Sequence, residues 1–287
     1  MDDKDWLILK TISEEKNITK AAERLYMSQP ALSYRLKNLE TEFGAKIVLR
    51  NTTGIVFTHQ GEHLLDYALS MLTQLSLAKE RVQNMKNQVQ GTLRLGTSAI
   101  FAHYQLPPIL KGFLEHYPNV DISLKTGLSS QVNKMLQKED VAVAILRGDY
   151  FWPEEKHLLL EEPICLVSPR AIPFSDLPHH PQISYGTDSS LRVMLEDWWR
   201  ERFSCPPKTT MEVDSMDTCR QMVLHGLGWA ILPLIGLKEH DSLYTQELCW
   251  RDGTSVLRRT WMLYRNSSLE LSAVQAFTDY LKEYYEI

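Results

Sequence analysis

The sequence has few of the features that mark the common chemistries. Its four cysteines in 287 residues (Cys165, Cys205, Cys219, Cys249) form no Cys-x-x-Cys pair and have no clustered histidines. Neither a disulfide framework nor a zinc site is expected, and no resident cofactor is implied. No apolar run reaches the ~18 residues of a membrane span. The opening Met1-Asp2-Asp3-Lys4-Asp5 lacks the basic-then-apolar order of a secretory leader, so a cytoplasmic protein with reduced thiols is the default expectation. Gly-x-Ser-x-Gly, a Gly-x-Gly-x-x-Gly turn after a strand, a phosphate-binding loop and His-Glu-x-x-His are all missing, and an enzyme is not expected. The pair His179-His180 lies in a Pro-rich stretch, 177–181, and reads as solvated loop rather than metal site. Positive charge is short too: 31 Lys+Arg stand against 36 Asp+Glu, a net −5. Spread evenly, that balance would argue against a nucleic-acid partner.

The charge is not spread evenly. Residues 1–60 hold nine Lys/Arg and eight Asp/Glu, residues 61–90 three of each, and residues 91–287 nineteen against twenty-five. Within 16–50 there are seven basic residues and three acidic ones, a local +4 inside an acidic whole. Such a window is often only a solvated face, so the pattern inside it decides.

That pattern is specific. Trp6, Leu7, Leu9 and Ile12 give a first helix an apolar face. Thr19 is placed to cap a second short helix carrying Ala21, Ala22 and Leu25. A tight connection follows, Tyr26-Met27-Ser28-Gln29-Pro30. Ser28 suits an N-cap and Pro30 a first helical turn. In the next helix Leu32, Leu36, Leu39 and Phe43 share one side, Gln29, Ser33, Tyr34, Arg35 and Lys37 the other, and Gly44 ends it. Two short helices and a tight turn, the second helix polar outward, describe a helix-turn-helix, whose second helix fits a DNA major groove. Residues 46–50 and 55–58, joined by Asn51-Thr52-Thr53-Gly54, predict a hairpin wing. The expected DNA contacts are Thr19, Ser28, Gln29, Pro30, Ser33, Tyr34, Arg35, Lys37, Arg50 and Thr52, with Gln29 and Arg35 able to make bidentate base contacts.

Residues 62–90 contain no Gly and no Pro. Ala68, Met71, Leu75, Ala78, Val82, Met85 and Val89 recur at steps of three and four, an a/d seam of about three heptads. A helix packed on its own domain would give the same pattern. Self-association is preferred, because a helix this long outruns the small head that could cover it.

From Gly91 onward short apolar runs alternate with helical patterns: 92–96, 103–116, 120–125, 129–138 and 141–146. This predicts βα units and a mostly parallel sheet. Two lobes are expected, with further strands near 164–168, 182–185, 209–213, 229–232 and 260–264. Polar residues fall at the strand ends: Thr97, Ser98 and Ala99; Ser129, Ser130 and Gln131; Arg147; Ser189 and Ser190. Helix N-termini and Arg147 favour a small organic anion in a cleft there. Simple helix capping by each Ser or Thr, and a salt bridge for Arg147, are the plainer alternatives.

The run Thr19-x-Ala21-Ala22-x-x-Leu25-x-x-Ser28-Gln29-Pro30-Ala31-Leu32-Ser33, with Leu39-Glu40, Gly44, Arg50 and Thr58-x-x-Gly61, resembles the LysR-type transcriptional regulators. The resemblance covers the whole chain. It implies an α/β protein with an N-terminal winged helix-turn-helix (1–60), a long linker helix for dimerisation (61–90) and a C-terminal two-lobed, periplasmic-binding-protein-like effector domain (91–287). Lobe I would take 91–161 and 267–287, including a final helix over 269–285, and lobe II 162–266. Promoter DNA, a small-molecule effector, a second copy in a homodimer or dimer of dimers, and RNA polymerase are the implied partners, with no membrane. Tyr34 and Arg35, the Ile47-Val48-Leu49-Arg50 wing and Thr58-His59-Gln60-Gly61 depart from the usual pattern, so base preference does not carry over. Some relatives sense oxidants through a disulfide in the second lobe, where Cys205 and Cys219 lie; burial of Cys219 as a small apolar residue is the alternative preferred. A solute-binding transport protein would explain the lobes but not residues 1–90.

Overall fold

The computed structural model describes residues 1–51, 54–84, 88–237 and 242–287. Thr52 and Met85 lie outside the described residues, as do the side chains of Arg50 and Val82. The chain divides into two compact units, Met1–Lys86 and Asn87–Ile287.

The first unit contains α1 (Asp3–Glu15), α2 (Ile18–Arg24), α3 (Gln29–Glu42), β1 (Val48–Asn51), β2 (Gly54–Phe57) and α4 (His59–Asn84). A reciprocal cap starts α1: Asp5 N–H donates to Asp2 at 3.0 Å and Asp2 N–H to Asp5 at 2.8 Å. Asn17, not Thr19, caps α2, its Oδ1 accepting from Thr19 and Lys20 N–H at 2.9 and 3.1 Å. Thr19 lies two positions past the cap, inside the helix, too late for the expected role. Ser28 caps α3 by accepting from Ala31 N–H at 3.3 Å, and Pro30 occupies the first turn, where no N–H is missed. Ile8, Leu9, Ile12, Ala21, Ala22, Leu32, Leu36 and Leu39 form one buried core. The wing pairs antiparallel, Val48 with Phe57 and Asn51 with Gly54.

Thr58 and Gly61 explain their own spacing. The Thr58 hydroxyl donates to the Lys46 carbonyl at 2.6 Å and accepts from Gly61 N–H at 2.9 Å, tying the wing to the start of α4. A Cβ on Gly61 would sit 2.0 Å from the Ile47 carbonyl oxygen, so only glycine fits.

The linker reading needs correction at both ends. α4 has 26 residues, about 39 Å, and belongs to the first compact unit rather than forming a separate segment. Ala68 is fully buried in the core of the head, with Leu64 and Leu65 packed beside it; it faces inward, not toward a second helix. Val89 lies beyond Asn84, off the helix. Met71 and Leu75 are half-buried and Ala78 is exposed.

The second unit begins with β3 (Gly91–Ser98), α5 (Ala99–Tyr104), α6 (Leu106–His116), β4 (Val120–Gly127), α7 (Ser129–Gln137) and β5 (Val143–Arg147). It continues with β6 (Glu155–Ser168), β7 (Gln182–Tyr185), α8 (Ser189–Arg202), β8 (Thr209–Val213), α9 (Met216–Leu224) and β9 (Ala230–Pro233). It closes with β10 (Tyr244–Glu247), β11 (Leu257–Tyr264) and α10 (Ser272–Tyr284). The largest sheet runs β10-β6-β11-β5-β3-β4, with β9 also on β6. Pairings of β3 with β4 and β5, and of β7 with β8, are parallel. Those of β6 with β9, β10 and β11, and of β11 with β5, are antiparallel. The sheet is therefore mixed, not mostly parallel. The reason is topological: the chain leaves the first lobe along β6 and returns along β11, and neighbouring outbound and return strands must oppose. The expected lobe boundary at 161/162 falls inside β6, a continuous strand of 14 residues.

In the first lobe α10 and α6 meet edge-to-face through Phe113 and Phe277, ring centroids 5.1 Å apart. In the second lobe Trp198, Trp199 and Trp229 cover Ile164, Leu166 and Ile231. A separate cluster of Cys165, Val167, Ile183, Cys219 and Val223 includes α9.

Candidate functional site

The expected site residues fall on two surfaces. On the first, α3 buries Leu32, Leu36 and Leu39 and leaves Pro30, Tyr34 and Lys37 exposed. Gln29 and Ser33 are half-buried on the same side and bonded to each other, Gln29 Nε2 donating to Ser33 Oγ at 2.9 Å. Thr19 and Ser28 are exposed. Tyr26, 98% exposed with a left-handed φ of 53° in the turn before α3, was not singled out from sequence as a contact. Arg35 is corrected. Its Nε donates to Asp5 at 2.6 Å and its Nη2 to Asp2 at 2.5 Å, and these bonds push its pKa up. The guanidinium that looked free to read a base instead fastens α3 to the start of α1. Periodicity placed it on the polar side of α3 but carried no information about α1.

The second surface lies where the strands cross between lobes. Register pairs Arg258 of β11 with Glu162 of β6 and Thr260 of β11 with Arg147 of β5. Directly paired residues project from the same face, so three charged side chains and a hydroxyl collect together. All four are buried, none more than 4% exposed. Arg147 Nη2 bonds Glu162, whose other oxygen accepts from Ile235 N–H. Arg258 donates to Ser190 Oγ at 2.9 Å and to the Arg147 carbonyl at 2.7 Å. Among the described residues the Thr260 hydroxyl has no hydrogen-bond partner.

Around this floor stand the expected serines, in specific employment. Ser98 caps α5 through Phe101 N–H at 3.3 Å. Ser129 Oγ accepts from Arg147 N–H at 3.0 Å. Thr97 is buried, while Ala99 and Ser189 are exposed. Asp188, rather than Ser189, caps α8. Its Oδ1 accepts from Ser190 N–H at 3.0 Å and Ser190 Oγ at 2.8 Å, and lies 3.9 Å from Arg258 Nη2. Its Oδ2 accepts from Tyr150 OH at 2.6 Å and from Ser130 N–H, on the first turn of α7, at 3.2 Å.

The electrostatics follow from burial. Burial pushes the Glu162 carboxyl up, against the downward pull of Arg147. Burial acts the same way on Asp188, but bonds from Tyr150 and Ser190 outweigh it and hold that carboxyl below its usual value. Burial, then the like charge of Arg147, lowers Arg258. Two guanidiniums face two carboxylates, so the charge is balanced within the chain. Arg147 holds the carboxylate of Glu162, supplied by the chain itself. Glu162, Asp188, Arg258 and Tyr150 were missed from sequence. A charged residue inside an apolar strand run was the available signal for the first and third, and a capping residue before a helix for Asp188.

Gly148 fits this packing closely. Its φ is +107°, and a Cβ there would lie 2.5 Å from Ser190 Oγ and 2.8 Å from Arg258 Nη1. A cavity of about 750 Å³ lies elsewhere in the second lobe, beside α8, walled by Ile183, Trp199 and Phe203 and rimmed by Arg192 and Glu212. Cys205 opens onto it and is exposed, whereas Cys219 is buried with its thiol against the Ile183 carbonyl. Burial pushes the Cys219 thiol up to about 12. His179 and His180 are exposed, and among the described residues no group of three or more His, Cys, Asp or Glu could hold a metal. Among them, too, no helix is long and apolar enough to cross a membrane.

A winged helix-turn-helix with an open outer face, followed in the chain by a two-lobed α/β unit with a polar floor between lobes, defines a DNA-binding regulator carrying a sensor domain. The family model described as bacterial regulatory helix-turn-helix protein, lysR family, matches residues 4–62, and that of the LysR substrate binding domain matches 86–286. The chain is 45% identical over 282 residues to the HTH-type transcriptional regulator YraN of Bacillus subtilis (strain 168), covering 98% of each. It is 37% identical over 278 residues to YkuM of the same strain, covering 96% of this chain and 95% of that one. Two solved structures share the fold: CbnR complexed with its target DNA (TM-score 0.73, 17% identity, 99% of both chains) and a full-length OxyR from Pseudomonas aeruginosa (0.69, 22%, 98% of both). The chain belongs to the LysR family of transcriptional regulators, whose members are regulators and not enzymes.

Proposed function

We propose that this regulator binds promoter DNA in the cytoplasm as a homodimer or dimer of dimers, and that a small organic anion in the interlobe cleft adjusts that binding. The observation that carries the DNA half is the division of α3, with Leu32, Leu36 and Leu39 in the core and Pro30, Tyr34 and Lys37 outside. A helix so divided can lie in a major groove, its first turn toward base edges and its Lys37 toward phosphate. Gln29, Ser33 and Tyr34 are the base-edge candidates; Thr19, Ser28, Arg50 and Thr52 are backbone contacts. The side of α4 that carries the half-buried Leu75 and the exposed Ala78 is the pairing surface, which sets the spacing of two reading heads. The promoter-bound assembly meets RNA polymerase. The anion half rests on Thr97, Ser98, Ser129, Ser130 and the buried arginines, which surround the junction of the lobes. A ligand regulates only by preferring one lobe arrangement over the other.

The test is fluorescence anisotropy with DNA from upstream of the protein's own gene. Lys37→Ala should weaken binding and flatten its salt dependence by about one phosphate contact. An unchanged affinity and salt slope would remove α3 from the interface. Titrating metabolite acids into the complex tests the second half, and indifference to all of them would remove it.

A further inference from the structure

An anion site between the lobes is already filled by the chain itself. Asp188 belongs to the second lobe, where it caps the 14-residue α8. Its Oδ2 reaches across to the first lobe, accepting from the Ser130 N–H of α7 and from Tyr150 OH. Its Oδ1 faces Arg258 of β11, the strand that joins the lobes. One carboxylate therefore satisfies the first turns of two helices on opposite lobes and a phenol, next to a guanidinium that is 2% exposed. Each is a group that binds anions. Among the described residues the buried Thr260 hydroxyl of the same floor is unpartnered, so polar capacity remains beside the two arginines.

We propose that Asp188 is a built-in ligand that latches the two lobes, occupying the carboxylate position of the cleft, so that a small-molecule carboxylate acts by displacing it from Ser130, Tyr150 and Arg258. This rests on the reading that the cleft takes an organic anion, and adds how the anion acts. An internal carboxylate competes at the effective concentration set by its tether, about millimolar or above. External carboxylates bind the intact protein weakly for that reason, and better once the tethered one is removed. Displacement frees α7 from α8 and leaves the hinge strands as the connection between lobes.

The experiment uses full-length protein and sodium formate against sodium chloride at constant ionic strength. Calorimetry and amide exchange at Ser130 are read for wild type, Asp188→Ala and the isosteric Asp188→Asn. Formate affinity should rise at least about tenfold in D188A, with D188N between it and wild type. Protection of the Ser130 amide should fall in D188A and return with formate. Equal formate affinity in wild type and both variants would overturn the proposal. So would undiminished Ser130 protection in D188A; should D188A fail to fold, a formate affinity in the isosteric D188N no higher than in wild type would do the same. If D188A gains the formate site while wild-type DNA binding ignores every carboxylate, the latch stands and the organic-anion reading falls. If wild-type DNA binding answers to a carboxylate while D188A gains nothing, the reading stands and the latch falls.

Discussion

Glu162→Ala tests the charge balance at the hinge directly. Arg147 and Glu162 are each 5% exposed at the side chain, bonded to one another across the intervening strand β11. Removing one partner of such a pair leaves a buried charge uncompensated and costs about 3–5 kcal/mol. The Ile235 N–H, which Glu162 also satisfies, is stranded at a further cost of about 1 kcal/mol or more. For a unit of this size each kcal/mol lowers Tm by roughly 2–4 °C, so a fall of roughly 8–24 °C is expected. Replacing both charges behaves differently. Arg147→Met with Glu162→Leu removes the desolvation cost along with the attraction, and should return stability to within about 2 kcal/mol of wild type. The assay is scanning calorimetry of the full chain, following the transition of the second unit. A loss below about 1 kcal/mol in the single variant, or a double variant as unstable as the two singles added, would refute the account of a buried, mutually dependent pair.

The same carboxyl gives a pH prediction. Its folded pKa lies above its ordinary 4.5, so between the two values the folded state holds a proton that the unfolded state has released. Stability from this group is then full below 4.5 and declines as pH rises through that window; Glu162→Gln should lack this slope when the two melting curves are compared from pH 4.5 upward. Asp188 has the opposite sign: its lowered pKa contributes stability above its ordinary 3.8 that is lost on acidification. Gly148→Ala should cost about 2–4 kcal/mol, from the left-handed backbone and the collision with Ser190 and Arg258, read as thermal destabilisation; an unchanged Tm would show that the hinge relaxes freely. Arg35→Ala should lower the stability of the head by about 1 kcal/mol, discounted for its partial exposure, and weaken DNA binding alike across sequences, whereas loss of preference at a single base pair in a binding-site selection would return it to base reading. Leu75→Glu should halve the mass seen by light scattering, and an unchanged mass would clear that side of α4 of a role in pairing.

What periodicity could reveal and what it could not separates cleanly along physical lines. Helices α3 and α8 were legible because burial imposes a repeat that is written in the residues themselves. The turn at Ser28 and Pro30 was legible because capping and the missing proline N–H are local constraints. The mixed sheet was not, since strand direction depends on where the chain must return, and β6 and β11 carry apolar runs that read the same in either direction. Ala68 was misread for a related reason. A seam at heptad spacing says that one side of a helix is covered but not by what, and the head claims its N-terminal end.

The charged residues are the harder case, and they carry the function. Arg35 and Arg147 were each assigned an external partner because a guanidinium at a helix face or strand end can bind one. In both places the chain supplies the carboxylate itself, from Asp2 and Asp5, 33 and 30 positions away, and from Glu162, 15 positions away. Such pairs have no period, so sequence alone gives the donor without its acceptor. The consequence for regulation is specific. A cleft whose arginines are already neutralised does not attract an anion by net charge; selectivity must come from replacing Asp188 at the same hydrogen bonds with better geometry. Ligands of the right charge but wrong shape are then rejected by a carboxylate already in place, while the acidic balance of this unit, nineteen basic against twenty-five acidic residues over 91–287, keeps nonspecific polyanions away from it. The head, with its local positive window, is left as the part of the chain that meets phosphate.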